Sequence, residues 1–370
     1  KTLRVIIAGG GTGGHLFPGI AVAKELEKRF ENSEILFVIG RQRMESEILS
    51  RYGYKVESIS VEGMKGRGWK KGLSVIAGLP KSFFQSISVI KRFLPDFVLG
   101  VGGYSAGPFC LAARFKGIPT AIHEQNSYPG LTNRLLSGFV DRVFVSFEES
   151  KAHLKGKELF LTGNPVREEL FSADRVEQKN QEEFTILVVG GSQGAMAINK
   201  VFAEALEYLN AGKRFPSVIH QTGKADFKRA EKDYRNRGLK GELNPFIQDM
   251  NTAYKRADIV VSRAGATTIF ELAALGKPSV LIPYPFATNQ HQEINARSLV
   301  SVGGAEMIIE SDLTAKGMAQ TIIKFMDNRS ALEEMGTRAK KMGRRDAAKV
   351  ISDQLLDLSG IMNSDQALGK

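Results

Sequence analysis

One pattern occurs twice in this chain and limits what it can fold into: an apolar strand, a glycine turn and a helical segment in direct succession. It reads RVIIAGGGTGGHLFPGIAVA over residues 4–23 and TILVVGGSQGAMAINKVFAEAL over residues 185–206. A strand that runs into glycines and then a helix opens a doubly wound α/β domain. Its recurrence is a weak internal repeat, and it predicts two such domains facing each other across a cleft. A length of 370 residues agrees, since about 150 residues per domain is the usual scale.

The rest of the chain fits the same plan. Apolar runs LRVIIAG, EILFVIG, DFVLGVG, PTAIHEQ, RVFVSF and ELFLTG precede the break, and SVIHQTG, ADIVVSRAG, SVLIPYP and AEMIIE follow the second glycine turn. Segments long enough for crossover helices separate them, which predicts parallel sheets with helices on both faces. The linker is expected at Gly163–Arg167, where GNP interrupts regular structure. The domains are therefore read as 1–163 and 164–345, with a helix and tail at 346–370 that can return to pack on the N-terminal domain.

Composition excludes several classes. With 42% apolar and 25% charged residues, the chain carries neither the signature of disorder nor that of a membrane span. The longest uncharged run, Phe97 to Ala113, contains glycines and Pro108 and reads as a buried strand and loop. The start VIIA is too short for a signal-peptide core, and the single cysteine, Cys110, allows no internal disulfide. A cytoplasmic setting is expected. The net charge of +11 calls for an anionic partner: nucleic acid, a phosphorylated ligand or a lipid surface. Within 63–95 lie Lys65, Arg67, Lys70, Lys71, Lys81, Lys91 and Arg92 with no acidic residue.

Gly9, Gly11 and Gly14 satisfy G-x-G-x-x-G directly after a strand. The second strand ends in Gly40 and Arg41 rather than an acidic residue, which disfavours NAD but leaves NADP open. No Gly-Lys-Ser/Thr follows, so this is not a P-loop. The remaining readings are a seat for an oxyanion on backbone N–H groups and a tight turn for strand–helix packing. For VGGYSAG at 101–107 the packing role is the stronger reading; in GGSQGA, Ser192 and Gln193 add polar groups at a helix start. His15 is either a general base at the sheet edge or a helix-start histidine bonded to backbone.

The most informative stretch is SRAGATTIFELAALGKPSVLIPYPFATNQHQEINA, 262–296. A helix start at Thr267 and Thr268 can seat an anion, and Glu271 can accept from a ribose diol. Alternatively a threonine is the N-cap and Glu271 completes a capping box. Asn289, His291 and Gln292 suit sugar hydroxyls, or decorate the surface. There is no Asp-x-Asp, no His-Glu-x-x-His and no ligand cluster with metal spacing, so no metal is expected; no cofactor is expected either, unless the NADP alternative holds.

Together GGGTGGH, GVGGYSAGP, HEQNSYPG, TGNPVR, GGSQGA, SRAGATTIFE and NQHQEINA resemble the MurG family of bacterial glycosyltransferases, in order and over nearly the whole chain. The resemblance implies an α/β GT-B fold and transfer of N-acetylglucosamine (GlcNAc) from UDP-GlcNAc to lipid I, giving lipid II. It implies donor contacts at Thr12, Gly13 and Gly14, with Asn126 in the sugar segment. Arg167 and Ser192 would face the diphosphate, Ile247 the uracil, Ala266, Thr267, Thr268 and Glu271 the diphosphate and ribose, and Gln292 the GlcNAc hydroxyls. Thr267 stands where some relatives have leucine, and His291 where glutamine occurs. An α-linked donor and a β-1,4 product imply inversion by single displacement, for which His15 is assigned as base with Glu124 in reserve.

A lipid-linked acceptor requires contact with the cytoplasmic face of the cell membrane without spanning it. Ile76, Leu79, Phe83 and Phe84 beside Lys70, Lys71 and Lys81 form the expected interfacial patch on anionic lipid, although about half of such apolar residues should pack on the sheet, as in any amphipathic helix. Three rivals stand: an NADP-dependent oxidoreductase, a nucleic-acid-binding module and a GT-B enzyme with another acceptor such as diacylglycerol. The basic cluster lacks the interleaved aromatics of a base-stacking platform, so no nucleic-acid partner is expected.

Overall fold

The computed structural model describes residues 2–11, 13–40, 43–61, 69–172, 183–191 and 194–361, without the side chains of 43–44 and 69–77. The described parts of Lys1–Arg167 and Arg344–Lys370 form one compact unit, and Glu168–Gly343 forms a second. The chain therefore leaves unit 1 after Arg167, four residues beyond Gly163, and returns at Arg344.

Unit 1 is a parallel sheet of β1 (Leu3–Ala8), β2 (Ser33–Ile39), β3 (Lys55–Ser58), β4 (Phe97–Gly100), β5 (Thr120–Glu124), β6 (Arg142–Val145) and β7 (Leu159–Leu161). Its order is β3-β2-β1-β4-β5-β6-β7. The helices are α1 (Gly13–Arg29), α2 (Arg43–Arg51), α3 (Trp69–Phe93), α4 (Ala106–Phe115) and α5 (Leu131–Leu136). Covered on both faces, the central strands are continuous apolar runs: Val5 and Ile7 enter one core, Ile6 and Ala8 the other. The order reverses between β1 and β4, and the C-terminal ends of that pair are where an open α/β sheet admits a ligand.

Unit 2 has β8 (Thr185–Val189), β9 (Ser217–Gln221), β10 (Glu242–Asn244), β11 (Ile259–Ser262), β12 (Ser279–Leu281) and β13 (Glu306–Met307), in the order β10-β9-β8-β11-β12-β13. Its helices are α6 (Met196–Ala211), α7 (Phe227–Asn236), α8 (Met250–Arg256), α9 (Ala266–Leu275), α10 (His291–Ser301), α11 (Ala315–Asp327) and α12 (Arg329–Met342). The reversal falls between β8 and β11.

The last helix, α13 (Ala347–Leu358), belongs to unit 1. It lies on α1 and buries Ile351, Leu355 and Leu356 in the core that holds Ile20 and Leu26. Each such side chain stabilises by about 1.5–3 kcal/mol. The ion pairs beside them, Arg29–Asp353 at 2.5 Å and Arg142–Asp357 at 2.6 Å, are partly exposed and contribute less.

Two features depart from the sequence reading. Strands β3 and β10, KVES and ELN, were passed over because both are short, polar edge strands without an apolar run. The run from Phe97 to Ala113 is β4 followed by helix α4, not a strand and loop. Pro108 is compatible with that helix because it is the third residue of α4, where no intrahelical N–H bond is lost.

Candidate active site

In unit 1 the glycine turn after β1 locks against the turn after β4. Gly9 N–H donates to Val38 C=O at 3.0 Å and Gly10 N–H to Gly102 C=O at 3.1 Å. A Cβ on Gly103, whose φ is +81°, would sit 1.9 Å from the Gly10 oxygen. Gly11 N–H donates to the buried carboxylate of Glu45 on α2, whose pKa burial raises against the lowering effect of that bond. The N–H groups of Gly9, Gly10 and Gly11 are thus all engaged by the protein itself, which narrows the oxyanion reading of the loop to the start of α1. What remains at this edge is the start of α1, with Gly13, Gly14 and His15; Thr12 lies outside the described residues.

His15 bonds to a side chain, not to backbone. Its Nδ1 lies 2.8 Å from Oε1 of Gln125, just beyond β5, and its ring lies so close to Gly102 that a Cβ there would come within 3.0 Å of Nδ1. Gln125 Nε2 donates to Val101 C=O at 2.9 Å and lies 3.1 Å from Nδ1 of His123. His123 is fully buried, and burial, with the neighbouring His15 adding to it against a bond to Gly163 C=O, brings its pKa down to about 4.

Glu124 is also buried. Its Oε1 accepts from Asn126 N–H at 2.9 Å and Asn126 Nδ2 at 3.3 Å, and its Oε2 from Gly130 N–H at 3.0 Å and Asn133 Nδ2 at 2.9 Å. Four donors fill the capacity of a carboxylate. The geometry thus makes Glu124 the anchor of the loop 124–133, its acceptor positions taken up by the protein itself. Asn126 is held on that anchor, its C=O accepting from Ser150 Oγ at 3.0 Å. The Arg167 guanidinium lies 4.4 Å from the ring centroid of Phe17, a cation–π contact that sets its charge on α1, two residues from His15.

In unit 2 the corresponding edge carries the turn after β8 and the start of α9. Ser192 and Gln193 lie outside the described residues. Gln221 spans the neighbouring turns, its Nε2 donating to Gly191 C=O at 3.1 Å and its Oε1 accepting Ile247 N–H at 2.8 Å. The N-cap of α9 is Gly265, with extended φ of −64° and no side-chain cap, so Thr267 and Thr268 are first-turn residues and the capping-box alternative does not apply. Ala266, Thr267 and Thr268 form the first turn of α9, which follows β11, and a helix start suits an anion. Glu271 is buried and accepts from Tyr254 Oη at 3.0 Å.

Gln292 links the turns after β11 and β12. Its Oε1 accepts Ala264 N–H at 3.2 Å and Tyr284 N–H at 3.0 Å, which directs Nε2, a donor of two protons, to other partners. By contrast His291 is half-buried and bonds locally to Thr288 C=O at 2.8 Å, and Asn289 adopts a left-handed φ of 53°.

The apolar surface of unit 1 is wider than the sequence reading drew it. Leu79 and Phe84 are exposed at 44% and 67%, beside exposed Lys81, whereas Phe83 is half-buried against the core. Phe83 carries the patch onward, edge-on to both Phe84 and Phe115 at 6.1 and 6.0 Å between ring centroids. Exposed Leu111 and Phe115 on α4 and Leu131, Leu135 and Phe139 on and after α5 extend it, with Arg114, Lys116 and Arg134 among them. Reading 97–113 as strand and loop hid the outward face of α4. The side chains of Lys70, Lys71 and Ile76 lie outside the described residues.

Residues 5–145 match the glycosyltransferase family 28 N-terminal domain and residues 185–351 the family 28 C-terminal domain. A relative from Syntrophus aciditrophicus is 45% identical over 96% of this chain and 98% of its own length. The chain belongs to glycosyltransferase family 28. The Syntrophus protein is named UDP-N-acetylglucosamine--N-acetylmuramyl-(pentapeptide) pyrophosphoryl-undecaprenol N-acetylglucosamine transferase, as is a Myxococcus xanthus relative, 45% identical over 96% of this chain and 93% of its own. Among solved structures, Acinetobacter baumannii MurG superposes with a TM-score of 0.76 at 31% identity, over 96% of this chain and 99% of that one. The family 28 fold is GT-B, and both units follow it. The N-terminal match contains the whole His15–Gln125 pairing, and the C-terminal one opens at β8 and includes α9 and Gln292.

Proposed function

We propose that this family 28 chain transfers GlcNAc from UDP-GlcNAc to the C4 hydroxyl of N-acetylmuramic acid in lipid I, undecaprenyl-pyrophosphoryl-MurNAc-pentapeptide, forming lipid II for peptidoglycan with inversion at the anomeric carbon. The observation that carries this reading is similarity at 45% identity across 96% of the chain to a transferase of that name.

Each unit has its own task. In unit 2, the first turn of α9 at Ala266, Thr267 and Thr268 holds the donor diphosphate through N–H groups and the helix dipole, with Ser192 in the neighbouring turn. Glu271 accepts from the ribose hydroxyls. Since Ile247 N–H is engaged by Gln221, Ile247 meets the uracil through its C=O, an acceptor for the ring N–H. Gln292 donates from Nε2 to the GlcNAc hydroxyls. In unit 1, His15 takes the proton of the acceptor hydroxyl. The acceptor oxygen bonds to C1 as the bond from C1 to the diphosphate oxygen breaks, and UDP leaves with the electron pair. Arg167, the α1 start at Gly13 and Gly14, and the α9 N–H groups meet the departing charge, an electrostatic role of a few kcal/mol per well-placed donor. Asn126 orients the sugar.

The exposed patch around Phe84, Phe115 and Leu135, with its basic rim, rests on anionic lipid. This reading makes the protein peripheral at the cytoplasmic face of the bacterial inner membrane. Among the described residues no helix is long and apolar enough to cross a membrane. The positive charge is accounted for by lipid and nucleotide, without nucleic acid.

The test is transfer of radiolabelled GlcNAc from UDP-GlcNAc to a short-chain lipid I analogue, with diacylglycerol as the competing acceptor. Labelled disaccharide lipid is expected from the first alone. Transfer to diacylglycerol but not to lipid I overturns the acceptor, and no binding of UDP overturns the whole reading.

A further inference from the structure

Resting on the transferase reading, we propose that Gln125 is a positioning residue that fixes the tautomer of His15, keeping the proton on Nδ1 so that Nε2 is the basic nitrogen. The argument starts from the amide. Gln125 is 1% exposed, and its Nε2 lies 2.9 Å from Val101 C=O and 3.2 Å from His123 C=O. Carbonyl oxygens only accept, so the amide nitrogen must face them. Its oxygen is then the atom 2.8 Å from Nδ1 of His15. That oxygen also only accepts, so Nδ1 carries the proton, and a neutral imidazole with a proton on Nδ1 has its lone pair on Nε2.

A second histidine holds the first arrangement in place. His123 Nε2 lies 3.3 Å from Gly163 C=O, an acceptor, and 3.2 Å from Ser146 Oγ, whose own proton goes to Glu124 C=O at 3.0 Å, so the proton of this ring sits on Nε2. Its Nδ1 is thereby an acceptor for Gln125 Nε2 at 3.1 Å. Burial keeps His123 neutral down to about pH 4, so it remains an acceptor throughout the range in which a histidine base works. Every donor in the series Gly163–His123–Gln125–His15 thus finds an acceptor, and no alternative set of tautomers does the same.

The choice of an amide has a chemical consequence. A carboxylate at the same place would orient His15 equally well but would favour the imidazolium form. A neutral amide orients the ring without that effect. Among the described residues the other charged or titratable groups on the elements around this edge include His123 and Glu124 of β5, Tyr104 in the turn after β4, Glu45 at Gly11 and Arg167 on Phe17. Among the described residues the hydrogen-bond partner of the His15 ring is Gln125.

The test compares wild type with Gln125→Glu and Gln125→Met in pH profiles of kcat and kcat/KM for GlcNAc transfer to a short-chain lipid I analogue. The glutamate variant is expected to move the acid limb up by about one pH unit, as an opposite charge at hydrogen-bond distance does. The methionine variant is expected to lower kcat by about 100-fold, the lower end of what a positioned base contributes, with KM for UDP-GlcNAc within about twofold. An acid limb that stays in place in Gln125→Glu overturns the proposal, as does a Gln125→Met variant that loses KM rather than kcat. If the variants do not fold, 15N spectra of histidine-labelled wild type decide it, since the sequence has five histidines: an Nδ1-protonated His15 supports the assignment and an Nε2-protonated one refutes it. A wild type without transferase activity refutes the function instead, and the spectra still report on the pairing.

Discussion

Glu124 and Asn133 meet at 2.9 Å, the carboxylate of one accepting the side-chain amide of the other. That bond, with three more onto the same carboxylate, separates two acidic–basic candidates by role. Glu124→Gln places an NH₂ group where donors already point, at a cost of about 1–3 kcal/mol for a group left unsatisfied. We expect a lower Tm and changes in both kcat and KM, with the acid limb of the pH profile unmoved. His15→Ala should leave donor KM nearly unchanged and lower kcat by about 10²-fold or more, with some loss of Tm because the buried Gln125 amide oxygen loses its donor. Steady-state kinetics beside thermal melts separate the two patterns.

Glu271 is held by Tyr254 Oη at 3.0 Å, which orients a carboxylate expected to bind the donor ribose in ground state and transition state alike. Uniform binding of this kind appears in KM. Glu271→Ala should therefore raise the donor KM about tenfold or more and weaken UDP binding by calorimetry, with kcat within a few-fold. Tyr254→Phe should do the same more weakly.

Two buried histidines make the fold acid-sensitive. Burial lowers the pKa of His123 to about 4 and that of His220 to about 3, from an ordinary 6.5. Unfolded histidines bind protons below pH 6.5 while these two do not, so stability is fully present above 6.5 and falls as pH drops from there toward the folded values. For His123 the full loss is about 3 kcal/mol. Thermal melts from pH 7.5 to 5 should show a falling Tm before the carboxylates titrate. A flat Tm across that window contradicts the buried neutral state. His220, bonded to Tyr234 at 2.9 Å and Asn199 at 3.0 Å, places the same sensitivity in unit 2.

Phe84 and Phe115 are exposed at 67% and 73%. The paired substitution Phe84→Ser and Phe115→Ser should leave transfer to a water-soluble acceptor analogue intact while reducing sedimentation with anionic vesicles by about tenfold. Unchanged vesicle binding would assign the patch another role.

The architecture was legible because its signals are local. Central strands such as Val5–Ala8 and Ile186–Val189 are unbroken apolar runs, and the glycine turns mark where each sheet meets its first helix. Less legible were elements whose signal lies in their neighbours: β3 and β10 are strands only because β2 and β9 offer an edge, and α4 looked like loop because Gly107 and Pro108 punctuate its start. The candidate site divides in the same way. His15, Glu271 and Gln292 stood out by residue type and position. That the first glycine turn turns its N–H groups inward to Gly102 and Glu45, that four donors enclose Glu124, and that Gln125 holds His15 are long-range contacts, invisible until β1, β4 and β5 lie side by side.

The most direct test of the account follows the fate of the donor anomeric carbon. Wild type incubated with UDP-GlcNAc and a short-chain lipid I analogue should release one UDP per product and give a β-1,4-linked disaccharide lipid by NMR coupling constants, with no donor consumed when the acceptor is omitted, and His15→Ala should suppress that product. An α-linked product, or donor turnover that proceeds without acceptor, contradicts the single displacement driven from His15.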